Sequence, residues 1–222
     1  MTSLDLLLAI LVLGFVVFQA VIRMVRRYYK LPTPAFFTQL IDNPIRRRLI
    51  QPPETVAERM GLKTGMTVVE IGHGKGSYTI AVARRVLPNG KVYAVDIQES
   101  VVERLKKRIE REGITNVYPK IDDVYALSFD DSSVDRVLAI TVLPEIPDPI
   151  KALRELHRIL KPDGLLCLSE LFLDPDYPLR RTEKRQADKA EFEVKQEYGN
   201  FFVYYLIFQK KAHLTNQQTS NA

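Results

Sequence analysis

Hydrophobic side chains recur along this chain in three rhythms, and each predicts a different kind of element. From Leu4 to Val25 they are nearly continuous: Asp5, Gln19 and Arg23 are the only strongly polar residues, and Leu6 to Phe18 contains none. That run approaches the roughly 20 residues a membrane-crossing helix needs. Short apolar runs follow at 68–71, 91–96, 116–121, 135–142 and 165–171, each the length of a strand buried on both faces. Between them, apolar residues spaced three and four apart predict helices over 54–60, 78–86, 100–112 and 149–160. Two last runs, 192–198 and 201–209, flank Gly199-Asn200 and predict an antiparallel hairpin. Strands and helices that alternate and then close with a hairpin predict an α/β fold with one doubly wound sheet, preceded by a transmembrane helix.

The flanks of the first run decide what kind of membrane segment it is. Met1-Thr2-Ser3 carries no basic side chain, and the run passes directly into Arg23, Arg26, Arg27 and Lys30. A secretory signal has its cations on the other side and a small-residue cleavage site. Cations stay cytoplasmic, so the pattern predicts a single-pass anchor with the domain on the cytoplasmic side; a cleaved signal and a buried or interfacial helix are the alternatives. Tyr28 and Tyr29 suit headgroup depth or an ordinary linker. Leu31-Pro32-Thr33-Pro34 breaks the helix. Ala35 to Ile50 then sets Phe36, Phe37, Leu40, Ile41, Ile45 and Leu49 among polar residues and the cluster Arg46-Arg47-Arg48, a segment for lying on the membrane, capping a site or packing on the domain. The expected organisation is an anchor with basic flank at 1–30, an amphipathic linker or cap at 31–50, a folded domain at 51–210 and a disordered tail at 211–222.

Composition narrows the chemistry. A chain of 222 residues holds one substantial α/β domain without staples. Cys167 is the only cysteine, which excludes an intramolecular disulfide and points weakly to a reducing compartment. His73, His157 and His213 are too scattered to suggest a metal site. A formal charge of +5, from 32 basic and 27 acidic residues, does not demand a nucleic acid partner.

The chemistry concentrates in Val68-Val69-Glu70-Ile71-Gly72-His73-Gly74-Lys75-Gly76-Ser77. An apolar strand ends in an acid and then glycines at alternate positions, ahead of a helix whose first N–H groups lack partners. In a dinucleotide fingerprint the third glycine comes three positions after the second. Here Ser77 stands there, and the fit is poor. A carboxylate just before the first glycine is awkward beside a pyrophosphate but attracts a ligand carrying an ammonium and a sulfonium, which points to S-adenosylmethionine. Asp96, 20 residues after Gly76, ends the second strand where a carboxylate accepts both ribose hydroxyls; capping the following helix is the alternative and does not exclude that role. Asp122-Asp123-Val124 after the third strand offers a carboxylate for an adenine amino group and an apolar contact for the ring, or else is a pair of surface acids.

Taken together, Glu70 to Gly76, Asp96, Asp123 to Phe129 and Leu153 to Gly164 resemble the class I S-adenosylmethionine-dependent methyltransferases, in particular the small type 11 group that includes ubiquinone and menaquinone methyltransferases. The resemblance covers roughly 51–210 and implies a Rossmann-like sheet of seven strands, the last antiparallel. It further implies that Glu70, Gly72, His73, Gly74 and Gly76 hold the methionine portion, Asp96 the ribose, and Asp123, with Asp122 as the alternative acid, together with Val124 the adenine, with Ile97 and Thr141 also at the cofactor. Three positions depart from the pattern: Asp122 replaces a common glycine, Ser128 a proline, and Pro144 a histidine that many relatives carry near the methyl group.

Methyl transfer is an in-line displacement that needs positioning more than proton chemistry. Where a base is needed, Glu145 and Glu170 are the candidates near the strand tips, with capping or surface roles as the competing reading. Attachment to a membrane favours a small or lipid-soluble acceptor. Phe172, Tyr177, Phe201, Phe202, Tyr204 and Tyr205 would line its pocket or fill the core. A membrane-recruited RNA or protein methyltransferase and a non-catalytic adapter that binds the cofactor are the alternatives.

Overall fold

The computed structural model describes residues 3–28 and 44–212, with side chains from Leu4 to Val25 and from Pro44 to Ala212. The expectations for Tyr29, for the break at 31–34, for Phe36, Phe37, Leu40 and Ile41, and for the tail at 213–222 lie outside these residues. Helix α1 (Ser3–Tyr28) contains the apolar run, and Leu4–Val25 is long and apolar enough to cross a membrane by length and composition.

A seven-stranded sheet organises the rest: β1 (Thr67–Ile71), β2 (Lys91–Asp96), β3 (Val117–Ile121), β4 (Val134–Ile140), β5 (Leu160–Leu171), β6 (Phe192–Gly199) and β7 (Val203–Lys210), in the order β3-β2-β1-β4-β5-β7-β6. The first five are parallel; β7 runs antiparallel to β5 and to β6. Strand order reverses between β1 and β4, the switch point where ligands settle at the carboxyl ends of an open sheet.

Successive residues of a strand point to opposite faces, and the core divides accordingly. Val69 and Val137 join Leu153, Leu156 and Ile159 of α5 (Pro149–Ile159) on one face, while Val68 and Leu138 join Val56 of α2 (Pro53–Arg59), Val82 of α3 (Ser77–Val86) and Leu105 of α4 (Glu99–Arg111) on the other. Asp148 caps α5, accepting from the Lys151 N–H at 3.0 Å, ahead of a proline at the first helical position, where no N–H is missed.

Three elements differ from the sequence reading. Strand β5 begins at Leu160, not Leu165, because Leu160 pairs with Val134 before the register shifts to Arg136 and Leu165. Helix α6 (Arg180–Asp188) was not foreseen: its buried positions are Glu183 and Ala187, so it has no apolar stripe to read. The hairpin turn is longer than Gly199-Asn200. Asn200 Oδ1 accepts from the Phe202 N–H at 2.8 Å and the Val203 N–H at 3.1 Å, which keeps Phe201 and Phe202 in the turn, 54% and 61% exposed. Tyr204 and Tyr205, by contrast, are buried.

Candidate active site

A cavity of about 210 Å³ opens at the carboxyl ends of β1, β2 and β4. Of the residues expected to hold a cofactor, Glu70, Gly72, His73, Gly74, Asp96, Ile97, Asp123, Val124 and Thr141 all line it. Gly76 does not. A Cβ there would lie 2.3 Å from Leu105 Cδ1, so this glycine makes room for α4 beneath the loop. Gly72 similarly accommodates Val142, whose Cγ2 would sit 2.4 Å from an added Cβ. All three adopt the left-handed backbone, at φ +67°, +50° and +77° in chain order, but Gly74 alone has no atom within 4 Å of an added Cβ and lines the cavity, so a side chain there would take up space open to a ligand.

Inside the loop, Glu70 is 1% exposed and accepts a hydrogen bond from the Thr79 hydroxyl of α3. That bond crosses from strand to helix beneath the glycines and keeps the carboxylate in the cavity wall. His73 is 3% exposed rather than a solvent-facing turn residue. Its Nδ1 lies 3.2 Å from the Gly74 carbonyl, while Nε2 is buried without a partner. Burial pushes its pKa down to about 4, with the Arg104 charge a smaller cause in the same direction. The ring is therefore neutral; with Nδ1 donating to the carbonyl, Nε2 is an unsatisfied acceptor.

Asp96 at the tip of β2 accepts from the Gln98 N–H at 2.8 Å. Burial raises its pKa, only partly offset by that bond and by Arg104. It makes no cap on α4, whose first residue is Glu99. The neighbouring acids divide clearly. Asp122 Oδ2 accepts from the Ser128 N–H at 3.0 Å and the Ser128 hydroxyl at 2.5 Å, and lies 3.3 Å from Lys120 Nζ. Asp123 gives Oδ1 to the Tyr125 N–H at 2.9 Å and stays exposed, which leaves Oδ2 to a ligand. Ser128, in the place of a proline, is thus the partner that ties Asp122 down.

Of the alternatives for the segment ending at Ile50, capping a site agrees with Arg46 in the cavity wall, although the network behind it was not foreseen. A π-helical turn, Arg46–Ile50, turns Arg46 inward to 5% exposure. Its guanidinium donates to Gln51 Oε1 at 2.9 and 2.7 Å and to the Thr141 hydroxyl at 3.2 Å. Gln51, completely buried, donates to Ser169 Oγ at 2.5 Å and accepts from the Tyr78 hydroxyl at 3.1 Å. The network holds Thr141 at φ +55°, a costly conformation for a β-branched residue. Nothing in the run of three arginines marks Arg46 as the one that turns in. Of the two candidate bases, Glu145 lines the cavity. Glu170 does not reach it; that carboxyl is fully buried between β5 and α6, close to Glu183.

Comparison with known proteins agrees with this fold and cofactor. Residues 62–219 match the family described as a methyltransferase domain. A demethylmenaquinone methyltransferase of Geobacillus stearothermophilus is 32% identical over 123 residues, 55% of this chain and 53% of that protein. The catalytic subunit of a tRNA (adenine(58)-N(1))-methyltransferase of Yarrowia lipolytica is 33% identical over 131 residues, 58% of this chain and 33% of its own. The chain therefore spans about half the length or less of these curated relatives. A crystal structure of an S-adenosylmethionine-dependent methyltransferase from Aquifex aeolicus superposes with a TM-score of 0.75 at 25% identity, over 81% of this chain and all of that one. An open glycine, an unsatisfied imidazole nitrogen and two carboxylates at successive strand tips fit the sulfonium, ammonium, ribose and adenine of one cofactor, S-adenosylmethionine. With that fold, that cavity and a match running over most of its length, the chain belongs to the methyltransferase-domain family.

Proposed function

We propose that this chain transfers a methyl group from S-adenosylmethionine to a small, lipid-soluble acceptor at a membrane, with the domain at about 51–210 held on the cytoplasmic side by α1. One observation carries the cofactor assignment: Gly74, Asp96 and Asp123 converge on a single cavity at the switch point of the sheet. When bound, the cofactor supplies a sulfonium-activated methyl group. Glu70 and the loop to Gly74 receive the charged methionine end, Asp96 the ribose and Asp123 with Val124 the adenine. Arg46 and the network behind it position the opposite wall. Glu145 is the carboxylate placed to accept a proton where the acceptor must lose one.

The membrane part of the reading rests on α1 and on a relative. The apolar window of α1 buries none of its residues inside the protein, and that much exposed hydrocarbon requires a bilayer or a partner to cover it. The Geobacillus relative is named for demethylmenaquinone.

A second reading has its own support. Arg47, Lys75, Arg104, Lys107, Arg108 and Arg111 line a groove beside the glycine loop, with Glu112 the only acid, and the Yarrowia relative is named for a tRNA. An RNA substrate would show salt-sensitive binding at that groove.

Titration calorimetry with S-adenosylmethionine tests the site. The native chain should bind, while Asp96→Ala and Gly74→Val should weaken binding by tenfold or more, about 1.4 kcal/mol or above; normal binding by both variants would place the cofactor elsewhere. Incubating detergent-solubilised protein with radiolabelled methyl donor and separate lipid, RNA and protein fractions then assigns the acceptor class. Label in lipid supports the first reading and label in RNA the second. Cofactor binding with no labelled fraction marks an adapter.

A further inference from the structure

Four large apolar side chains stand out of the carboxyl edge of the sheet: Phe201 and Phe202 in the β6–β7 turn, Leu173 after β5 and Leu179 before α6, each at least half exposed. Phe172 joins the two turn aromatics, its ring centroid 5.1 Å from Phe201 and 5.6 Å from Phe202. Its N–H donates to the Phe202 carbonyl at 2.7 Å. The patch is thus built on a fixed backbone.

The end of α1 is fastened to the same segment. Arg23 Nη2 donates to the Phe172 carbonyl at 2.5 Å and the Asp174 carbonyl at 3.4 Å, and its guanidinium lies 4.7 Å from the Phe172 ring centroid. One helical turn earlier, Gln19 Nε2 reaches the Leu173 carbonyl at 3.4 Å. Arg23 is two residues short of Val25, the last residue of the candidate span, or about 3 Å along the helix axis. An arginine at that point of a spanning helix sits at headgroup depth, so whatever it binds sits there too.

We infer that the patch formed by Phe201, Phe202, Leu173 and Leu179 is inserted in the leaflet where α1 ends, so that the cavity opens at the lipid headgroups. This rests on α1 being a membrane anchor and deepens that reading. The lipid surface, rather than a second protein, is the occupant because the patch continues directly from an apolar helix through its Arg23 and Gln19 contacts. Asp174 joins the two features: its carbonyl accepts from Arg23, and the residue lines the cavity wall. A lipid-soluble acceptor would then pass from the bilayer to the methyl donor without crossing water.

The full chain in vesicles of phosphatidylcholine and phosphatidylglycerol provides the test. Cys167 is the only native cysteine and is completely buried, so a polarity-sensitive maleimide placed at Phe202→Cys reports one site. Ser132→Cys, exposed in the turn before β4 on the opposite edge of the sheet, is the control. The label at 202 should shift to the blue and be quenched severalfold by lipids with shallow doxyl groups, while the label at 132 remains water-like. Flotation of the labelled chain with vesicles is read in the same samples. If the chain floats but position 202 is as wet as 132, the inference fails and the anchor stands. If the chain stays soluble, the anchor reading fails and takes the inference with it. A blue-shifted label that doxyl lipids leave unquenched would put protein, not lipid, on the patch and would also overturn the inference.

Discussion

Burial keeps the His73 imidazole neutral far below the pH at which an exposed histidine charges. Its pKa of about 4 against the ordinary 6.5 means that the unfolded chain binds this proton first as pH falls. Its contribution to stability is therefore complete above about 6.5 and is lost as pH falls through about 4, on the order of 3 kcal/mol in all. At physiological pH the ring cannot repel a sulfonium or an ammonium next to it, as a charged imidazolium would. Proton NMR of the native chain, with the resonance assigned by its loss in His73→Gln, should show no His73 titration between pH 8 and 5. A midpoint near 6.5 would mean that the loop is open to water and that Nε2 is solvated. The glycine before it was recognisable from sequence as a turn residue, and its φ of +67° agrees; its second reason, room for Val142, depends on a side chain 70 positions away and has no local signature.

Among the elements, those that bury an apolar face were legible and those that bury polar groups were not. Strand β2 falls on Lys91–Asp96 as read, because each side of a buried strand declares itself by hydrophobicity. Helix α6 escaped because a carboxylate, Glu183, occupies the place of its central hydrophobe. The segment ending in the turn Arg46–Ile50 was read as lying on the membrane, capping a site or packing on the domain; that Arg46 is its inward residue was not legible, because its partner Gln51 stood at what was read as the start of the folded domain. That network gives the element scale its prediction. Gln51→Leu would remove the acceptor shared by Arg46 and Tyr78 and the donor to Ser169, leaving a buried guanidinium short of partners. Urea unfolding should show a loss of about 2–4 kcal/mol, and S-adenosylmethionine should bind more weakly because Thr141 and the cavity wall lose their clamp. A change within about 0.5 kcal/mol, the range of ordinary surface substitutions, would show that the turn does not dock on the domain in this way.

The stability of the whole molecule should carry the mark of its buried acid pair. Glu170 on β5 and Glu183 on α6 are both completely buried, and none of their four oxygens makes a well-formed hydrogen bond. Burial is the main cause that raises both pKa values, Glu183 to about 7 and Glu170 well above its usual range. For Glu170 the neighbouring Glu183 and Asp174 charges push the same way, and Arg46 only partly opposes them. The folded chain thus keeps protons that the unfolded chain has released, so the contribution of each group is complete below about 4.5 and is lost as pH rises through its folded value. Between pH 4 and 6.5 the gain from keeping His73 neutral runs in the opposite direction and offsets part of that loss. Above 6.5 the His73 contribution is complete and no longer offsets it. Melting temperature should therefore fall from pH 6.5 to 8.5, and the isosteric pair Glu170→Gln with Glu183→Gln should flatten the slope and melt higher than the native chain at pH 8.5, since neither amide can ionise. Native protein whose melting temperature holds level over that interval would mean that water reaches the pair, and with it the seam between β5 and α6.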